Sequence, residues 1–203
     1  MFKSLLSLVA ASALAVAPAH RAPATTCYVV APGGNEARYR VREQLLHHDL
    51  PNDAIGKTTA ITGGISFAPD GTIDSAASKI TIDVTSLKSD KERRDGYVQH
   101  RILETSQYPT VEFTPTAVHG VKLPLPASGS QTFDLDGLLT VHGTTHPTVW
   151  HVTAQRSDSG VTGTGTTQFT FEDASLAQPH VPVVLSVADT IKLEYDFHLV
   201  PEK

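Results

Sequence analysis

The sequence predicts an all-β fold, an antiparallel barrel or sandwich of about eight to ten strands with one short helix inserted. Two observations predict it. Apolar and polar residues alternate with a period of two through most of the chain, which is typical of half-buried strands. Turn signals rich in Gly, Pro, Asp and Ser separate these stretches at short intervals. Closing the sheet into a barrel would remove exposed edges, and eight strands enclose a space that side chains fill or one ligand occupies.

The helix is predicted within Lys91–Leu103, between two alternating strands. This segment contains no proline, and Ser89 and Asp90 before it are residue types that begin helices. Its apolar residues form a partial stripe, which indicates one face lying on a barrel mouth. Tyr108-Pro109 then ends the segment, because the residue before a proline is disfavoured in the α region. The stripe consists of Tyr97, Val98, Ile102 and Leu103.

The remaining strands follow from the same alternation, which is clearest in Ile191–Leu199. Near the N-terminus, apolar residues alternate with Arg38, Arg40 and Arg42, which we interpret as a solvated outer face. Glycines 63 and 64 are expected to separate two short strands, 58–62 and 65–68. Long loops are predicted at Leu45–Lys57, Gly120–Ser130 and Glu172–Asp189.

Alternation gives every strand one inward face, and the inward residues are almost wholly apolar. They either fill their own core or line a ligand tunnel, and the residues alone leave these two alternatives open. Gly163 and Gly165 carry no side chain and are compatible with a cavity. The predicted interior consists of Tyr39, Val41, Ile65, Phe67, Ile80, Ile82, Val111, Phe113, Phe133, Leu135, Leu139, Val141, Phe169, Phe171, Leu193, Tyr195 and Phe197.

Two multi-residue motifs occur in order and carry a resemblance to a known family. The first combines Asp83–Leu87, Arg94-Asp95, Leu103–Thr105 and Tyr108–Phe113. The second is Gly137–Val149, read as a strand, a Gly-centred turn and a strand. Together they resemble the YceI family of bacterial secreted proteins, and the likeness spans roughly residues 28 to 199.

The resemblance implies a single lipocalin-like barrel domain over residues 27–200. It also implies a long apolar ligand in the interior: a polyisoprenoid, an isoprenoid quinone or a fatty amide, held for transport or storage. No cofactor is implied, and the oligomeric state is left open, with a homodimer as one option. The stretch Glu172–Leu176 departs from the family pattern, because it lacks the usual Phe-Gly after Asp173. Ligand identity and entry route therefore stay open.

Two other classes of function compete with the carrier. One is a lipid-modifying enzyme that uses His142, His146 or the carboxylates of Asp83 and Asp95, although no catalytic motif is found. We expect His142 to shape a hairpin instead. The other is a β-sandwich interaction module with a solid core. Convergent titratable groups inside a pocket would favour the enzyme, and a filled interior would favour the module.

The N-terminus and the composition set further expectations. Residues 1–19 are predicted to be a signal peptide, cut after Ala19 or as late as Ala24, which implies a periplasmic or secreted protein with transient membrane contact. The single cysteine, Cys27, is interpreted as an edge residue of the first strand. The net charge is −5, and the sequence shows no basic cluster of the kind that binds nucleic acid. The loop cluster His47, His48 and Asp49 lacks a further ligand, so no metal site is predicted.

Overall fold

The computed structural model describes residues 25–47 and 49–202, which form an antiparallel β-structure with one helical insertion. The predicted signal peptide and its cleavage sites lie outside the described residues. The strands are β1 Thr26–Val30, β2 Glu36–Leu45, β3 Asn52–Thr58, β4 Ile61–Phe67, β5 Lys79–Asp83, β6 Thr110–His119, β7 Ser130–Val141, β8 Thr144–Ser157, β9 Gly160–Thr170 and β10 Val184–Pro201. The helical elements are α1 Glu92–Tyr97, a π-helix Val98–Ile102, and 3₁₀ turns at Ser75–Ala77 and Val84–Ser86.

Eight of these strands close into a barrel in the order β1-β4-β5-β6-β7-β8-β9-β10, and β10 pairs back with β1. Every pairing around the ring is antiparallel. The closing contact is short, since β1 reaches only Leu199–Pro201 of β10. Within the ring, closure removes the unpaired strand edges on which other chains could add. The barrel predicted from the sequence is therefore confirmed.

The β2–β3 hairpin covers the part of β10 that β1 does not reach, since β2 pairs with Val184–Asp196. The prediction of a loop over Leu45–Lys57 was wrong, because β3 occupies Asn52–Thr58. Inward positions of β3 hold Ala54 and Gly56, opposite Val41 and Tyr39. Such small residues give no hydrophobic alternation, so the strand signal was missing. The Tyr39 ring lies over Gly56, where a Cβ would be 2.2 Å from the ring.

Two strand boundaries also differ from the prediction. Residues 61–67 form one strand, β4, which passes through Gly63 without interruption. Gly63 has φ 106° and lies so close to β5 that a Cβ would be 2.0 Å from the Lys79 carbonyl oxygen. β10 begins at Val184 rather than Ile191, because register shifts at 184/186 and 187/191 break the alternation that the prediction relied on.

The helical insertion agrees with the prediction to within one residue at each end. Its apolar stripe has the offsets i, i+1, i+5 and i+6, which suit a π-helix better than an α-helix. The Leu103 amide donates to the Val98 carbonyl at 2.8 Å, the i+5 bond of such a helix. Among the described residues no helix is long and apolar enough to cross a bilayer.

The arginine stripe of β2 lies on the outer wall, as predicted, and is paired with acids. Arg38 bonds Glu194 and Asp196 on β10, and Arg40 bonds Glu194 and Asp53. Burial raises the pKa of Glu194, but hydrogen bonds from its cationic neighbours outweigh this and hold that pKa at about 2. The stripe therefore ties β2 to β3 and β10.

Candidate ligand-binding cavity

The interior of the barrel is a cavity of about 1060 Å³ that runs from one end to the other. This volume is slightly above the usual range for ligand pockets, about 300–1,000 Å³. Leu135, Leu193 and Phe169 point inward from three different strands and are nevertheless only half-buried. The space in front of them is therefore not filled by other described side chains. A solid core would have buried them completely.

Every residue of the predicted interior lines this cavity, which confirms the inward faces read from the alternation. Whether these residues contact a ligand stays a prediction. The structure places together Tyr39, Val41, Ile65, Phe67, Ile80, Ile82, Val111, Phe113, Phe133, Leu135, Leu139, Val141, Phe169, Phe171, Leu193, Tyr195 and Phe197. Gly163 and Gly165 were predicted to leave room in the cavity, but neighbouring side chains occupy most of the space beside them. A Cβ at Gly163 would be 2.6 Å from the Phe197 ring, and one at Gly165 3.3 Å from Trp150.

Strand β8 contributes lining residues that the sequence reasoning missed: Trp150, Val152, Ala154 and Arg156. Their even-numbered alternation was obscured by Val149, which is 45% exposed on the outer wall. Trp150 is the single tryptophan of the chain and packs against Phe113 with ring centroids 5.7 Å apart. These rings form an aromatic layer near the middle of the barrel.

The helical insertion closes one end of the barrel, which we call the helix end. All four residues of its predicted stripe line the cavity, as expected for a face lying on a barrel mouth. The insertion is attached on one side by Gln99, whose side-chain amide donates to the carbonyls of Thr85 and Leu87 at 3.2 and 2.9 Å. On the other side it is attached to β2 by Arg94.

Arg94 and Glu43 form a buried ion pair at the helix end. The Arg94 Nη2 donates to Glu43 Oε1 at 2.6 Å, and the two side chains are only 14% and 9% exposed. Arg94 also bonds Asp90, and Asn52 donates to the same Glu43 oxygen at 3.2 Å. Burial lowers the pKa of Arg94, but the two carboxylates outweigh this and raise it. Glu43 follows Tyr39 and Val41 at the same two-residue spacing. The alternation of β2 could therefore have predicted that Glu43 points inward.

The helix end also carries the opening of the cavity. Leu46 and Val183 line the cavity and are 42% and 55% exposed, so they mark a rim where the interior meets solvent. The Leu46 amide donates to the Val183 carbonyl at 2.9 Å. Close in sequence, Leu50 and Leu185 are 77% and 61% exposed. We call these four residues the apolar rim.

The opposite end, which we call the loop end, is covered by the segment 120–129. The loop was predicted at Gly120–Ser130 and is confirmed up to Gly129, since β7 begins at Ser130. Leu125 is buried and packs with the aromatic layer, and Leu123 packs beside it. The Arg156 guanidinium, at the end of β8, donates to the Leu125 carbonyl at 3.3 Å. In the part of the chain that the structure describes, the lining of the loop end is therefore mainly apolar apart from the Arg156 guanidinium.

Two of the tyrosines that line the cavity, Tyr39 and Tyr195, belong to the predicted interior. Burial raises the pKa of Tyr39 to about 12 and also raises that of Tyr195. The Tyr195 hydroxyl donates to Asn35 at 2.9 Å. Both phenols stay protonated at neutral pH, so they add hydrogen-bonding groups but no charge to the cavity.

The residues considered for catalysis are used locally rather than gathered in one site. His142 bonds Glu104 at 2.7 Å in the β7–β8 turn, where its φ is 49° and its ring lies on Tyr108. Asp83 accepts a bond from Thr85, and Asp95 from Ser89. His146 packs edge-on against an aromatic ring, and its Nε2 is buried without a partner in the described part of the chain.

Other polar candidates belong to the framework. Cys27 lies in β1, as predicted, and its Sγ is 2.7 Å from the Ser66 hydroxyl. Across residues 25–47 and 49–202, no group of three or more His, Cys, Asp and Glu side chains is arranged to hold a metal ion. Of the predicted loop cluster, His48 lies outside the described residues.

The departure from the family pattern after Asp173 has a structural counterpart. Ala174 is fully buried in the main core cluster, at the position where the family often has Phe. Ser175 occupies the following Gly position with φ 55°, a left-handed conformation that disfavours side chains. The segment therefore keeps the shape that a glycine would favour and places a smaller side chain in the core.

A closed antiparallel barrel around a large apolar cavity, capped by a helix, defines the class of lipocalin-like binding barrels. Within this class, the YceI-like domain family matches residues 28–199, and the chain belongs to that family. A comparison with curated proteins finds no match.

Solved structures of low identity share the fold. A polyisoprenoid-binding domain from Saccharophagus degradans is 15% identical with a TM-score of 0.66, covering 86% of this chain and 97% of that one. BcnA from Burkholderia cenocepacia is 18% identical with a TM-score of 0.60, covering 84% and 98%. A YceI protein from Campylobacter jejuni is 18% identical with a TM-score of 0.56, covering 79% and 91%.

Proposed function

We propose that this protein is a periplasmic or secreted carrier that holds one long apolar chain in its barrel. The observation that carries the proposal is the open interior, with half-buried aliphatic residues facing a cavity of about 1060 Å³. The likeness to a polyisoprenoid-binding domain supports an isoprenoid ligand. An isoprenoid quinone or a fatty amide has the same apolar tail and fits the same lining.

The free energy of burying the apolar chain favours a carrier over a protein that sequesters its ligand permanently. Burying about 30 carbons at about 0.8 kcal/mol each amounts to roughly 24 kcal/mol relative to water. That exceeds the ceiling of about 18–21 kcal/mol for non-covalent binding, so ordering costs offset much of it. A membrane solvates the same chain almost equally well. Net transfer from the membrane is therefore small, which allows both loading and release.

The apolar rim is where we propose that transient contact with a membrane occurs. Leu46 and Val183 belong both to the cavity wall and to the surface, so a chain leaving the cavity there would stay in apolar contact. Replacing both with Ser is expected to slow the transfer of a fluorescent lipid from vesicles to the protein, with little change in final occupancy. Leu138→Ser, on the outer wall away from the rim, is the control. An equal rate in all three proteins would contradict the assignment.

A cavity-filling substitution tests the carrier proposal itself. Leu135→Trp places a large ring in the space that the ligand would use, whereas Leu138→Trp on the same strand points outward. Delipidated protein is incubated with a long-chain prenol, an isoprenoid quinone or a fatty amide, and bound ligand is counted by native mass spectrometry. We expect one ligand on the wild type and on Leu138→Trp, and a loss of at least about tenfold for Leu135→Trp. Failure of the wild type to take up any of the three would overturn the proposal.

An enzymatic role has weaker support. The candidates His142, Asp83 and Asp95 are each bonded to a separate local partner. A lipid processed by this barrel would be recovered chemically altered, so comparing the mass of the ligand before loading and after release separates the two classes.

A further inference from the structure

The two ends of the cavity differ in how their half-buried cations are neutralised. Lys91 and Arg93 also line the helix end, but they are exposed to solvent. At the helix end, the guanidinium of Arg94 contacts two carboxylates, those of Glu43 and Asp90. At the loop end, Arg156 lines the cavity and bonds only the Leu125 carbonyl, at 3.3 Å, among the described residues. None of the ion pairs within residues 25–47 and 49–202 includes it. The loop end thus holds a cation without a carboxylate.

The surroundings of Arg156 are apolar. Its stem follows Val152 and Ala154 on the inward face of β8, and its cross-strand neighbour is Val161. Leu123 and Leu125 of the loop line the same cavity as Arg156, and the Leu125 carbonyl accepts its hydrogen bond. The residue is half-buried, so water does not fully screen the charge. A guanidinium has five donors, and one carbonyl at 3.3 Å leaves most of them available.

We propose that the loop end is a subsite for an anionic oxygen head group, a carboxylate or a phosphate monoester, carried by the long-chain ligand and bound by Arg156. The inference rests on the proposed function, because the head group is delivered there by a tail lying in the cavity. Guanidinium groups bind both anions through paired N–H donors. Arg156 is six residues from Trp150, about 20 Å along an extended strand. The tail would therefore cross the aromatic layer and extend towards the helix end.

The test compares ligands that share one tail and differ in the head. Palmitate, hexadecyl phosphate, hexadecanol and hexadecanamide are titrated into delipidated protein below their aggregation limits. Trp150 lines the cavity and is the single tryptophan, so its fluorescence reports binding without a label. We expect the two anions to bind about tenfold more tightly than the alcohol or the amide, a ratio that corresponds to about 1.4 kcal/mol.

Substitutions then assign the preference to Arg156. Arg156→Met is expected to reduce the preference to about twofold or less, and Arg156→Lys to keep most of it because the positive charge remains. Arg42→Met removes a cation from the outer wall and is expected to leave the preference unchanged. Arg156→Gln repeats the test if the Met variant does not fold, with the melting temperature as the check.

The outcomes separate this inference from the proposed function. Equal binding of all four ligands by the wild type, or an anion preference that survives Arg156→Met, overturns the head-group subsite and leaves the carrier intact. Failure of all four to bind overturns the head-group subsite, and it overturns the carrier as well if the long-chain prenol and the isoprenoid quinone also fail to bind. A preference for one anion over the other identifies which head group the subsite accepts.

Discussion

The Arg94–Glu43 pair is the contact whose removal should most affect the helix end. In Arg94→Met, the Glu43 carboxylate stays buried, 9% exposed, with the Asn52 amide as its remaining partner in the described structure. Leaving one partner of a buried pair without the other costs about 3–5 kcal/mol. Because the Asn52 amide still donates one hydrogen bond to Glu43, we expect Arg94→Met to lower the free energy of unfolding by about 3 kcal/mol, the lower end of this range. For a chain of this length that lowers the melting temperature by about 6–12 °C.

A double-mutant cycle separates the pair from its surroundings. Glu43→Leu combined with Arg94→Met removes both charges, so it should be more stable than Arg94→Met alone. Thermal unfolding of the four proteins measures the coupling. Arg42→Met is the matched control, because its ion pair with Asp53 is 57% exposed on the arginine side and should contribute about 1 kcal/mol or less.

The same variants test whether the pair fixes the helix over the cavity. Loosening the helix end should speed the release of a bound lipid, so the dissociation rate should rise in Arg94→Met and stay unchanged in Arg42→Met. The reasoning fails if Arg94→Met and Arg42→Met lower the stability by the same small amount and both release lipid at the wild-type rate. The buried pair would then not fix the helix over the cavity.

Three further outcomes are expected from the framework. Ser175→Gly should raise stability by about 0.5–1 kcal/mol, because glycine accepts the φ of 55° without steric cost; a lower denaturation midpoint would contradict this. Gly137→Ala should cost about 1–3 kcal/mol in urea unfolding, since its Cβ would be 2.3 Å from the Phe113 ring. The pKa of Glu194, about 2 in the fold against 4.5 ordinarily, stabilises the protein above pH 4.5, and this contribution is lost as the pH falls towards 2. Glu194→Gln should therefore lower stability at pH 7 and approach the wild type near pH 2, and a gap independent of pH would refute the assignment.

The sequence was informative where side chains repeat with the strand period. The faces of β2, β5, β7 and β10 were predicted from alternation, and every interior residue named from them lines the cavity. It was uninformative where small or charged residues occupy inward positions. The small residues Gly56 and Ala54 gave β3 no apolar alternation. The alternation of β8 was obscured for a different reason, because its outward residue Val149 is also apolar.

The size of the interior could not be predicted from the residues alone. Apolar side chains on an inward face are equally compatible with a packed core and with a cavity. A barrel of eight strands allows either, so the difference depends on how the folded barrel spaces its inward side chains. Likewise, Glu43 has the parity of an inward residue, but its partner Arg94 is 51 positions away and only the fold brings them together.

The central claim is that the barrel holds one long apolar chain, and native mass spectrometry of the protein purified from its own host tests it most directly. We expect a single adduct per barrel, released on denaturation and identified as one lipid with an extended hydrocarbon tail. Ligand-free protein that also takes up no prenol, quinone, fatty amide or fatty acid after purification would contradict the claim.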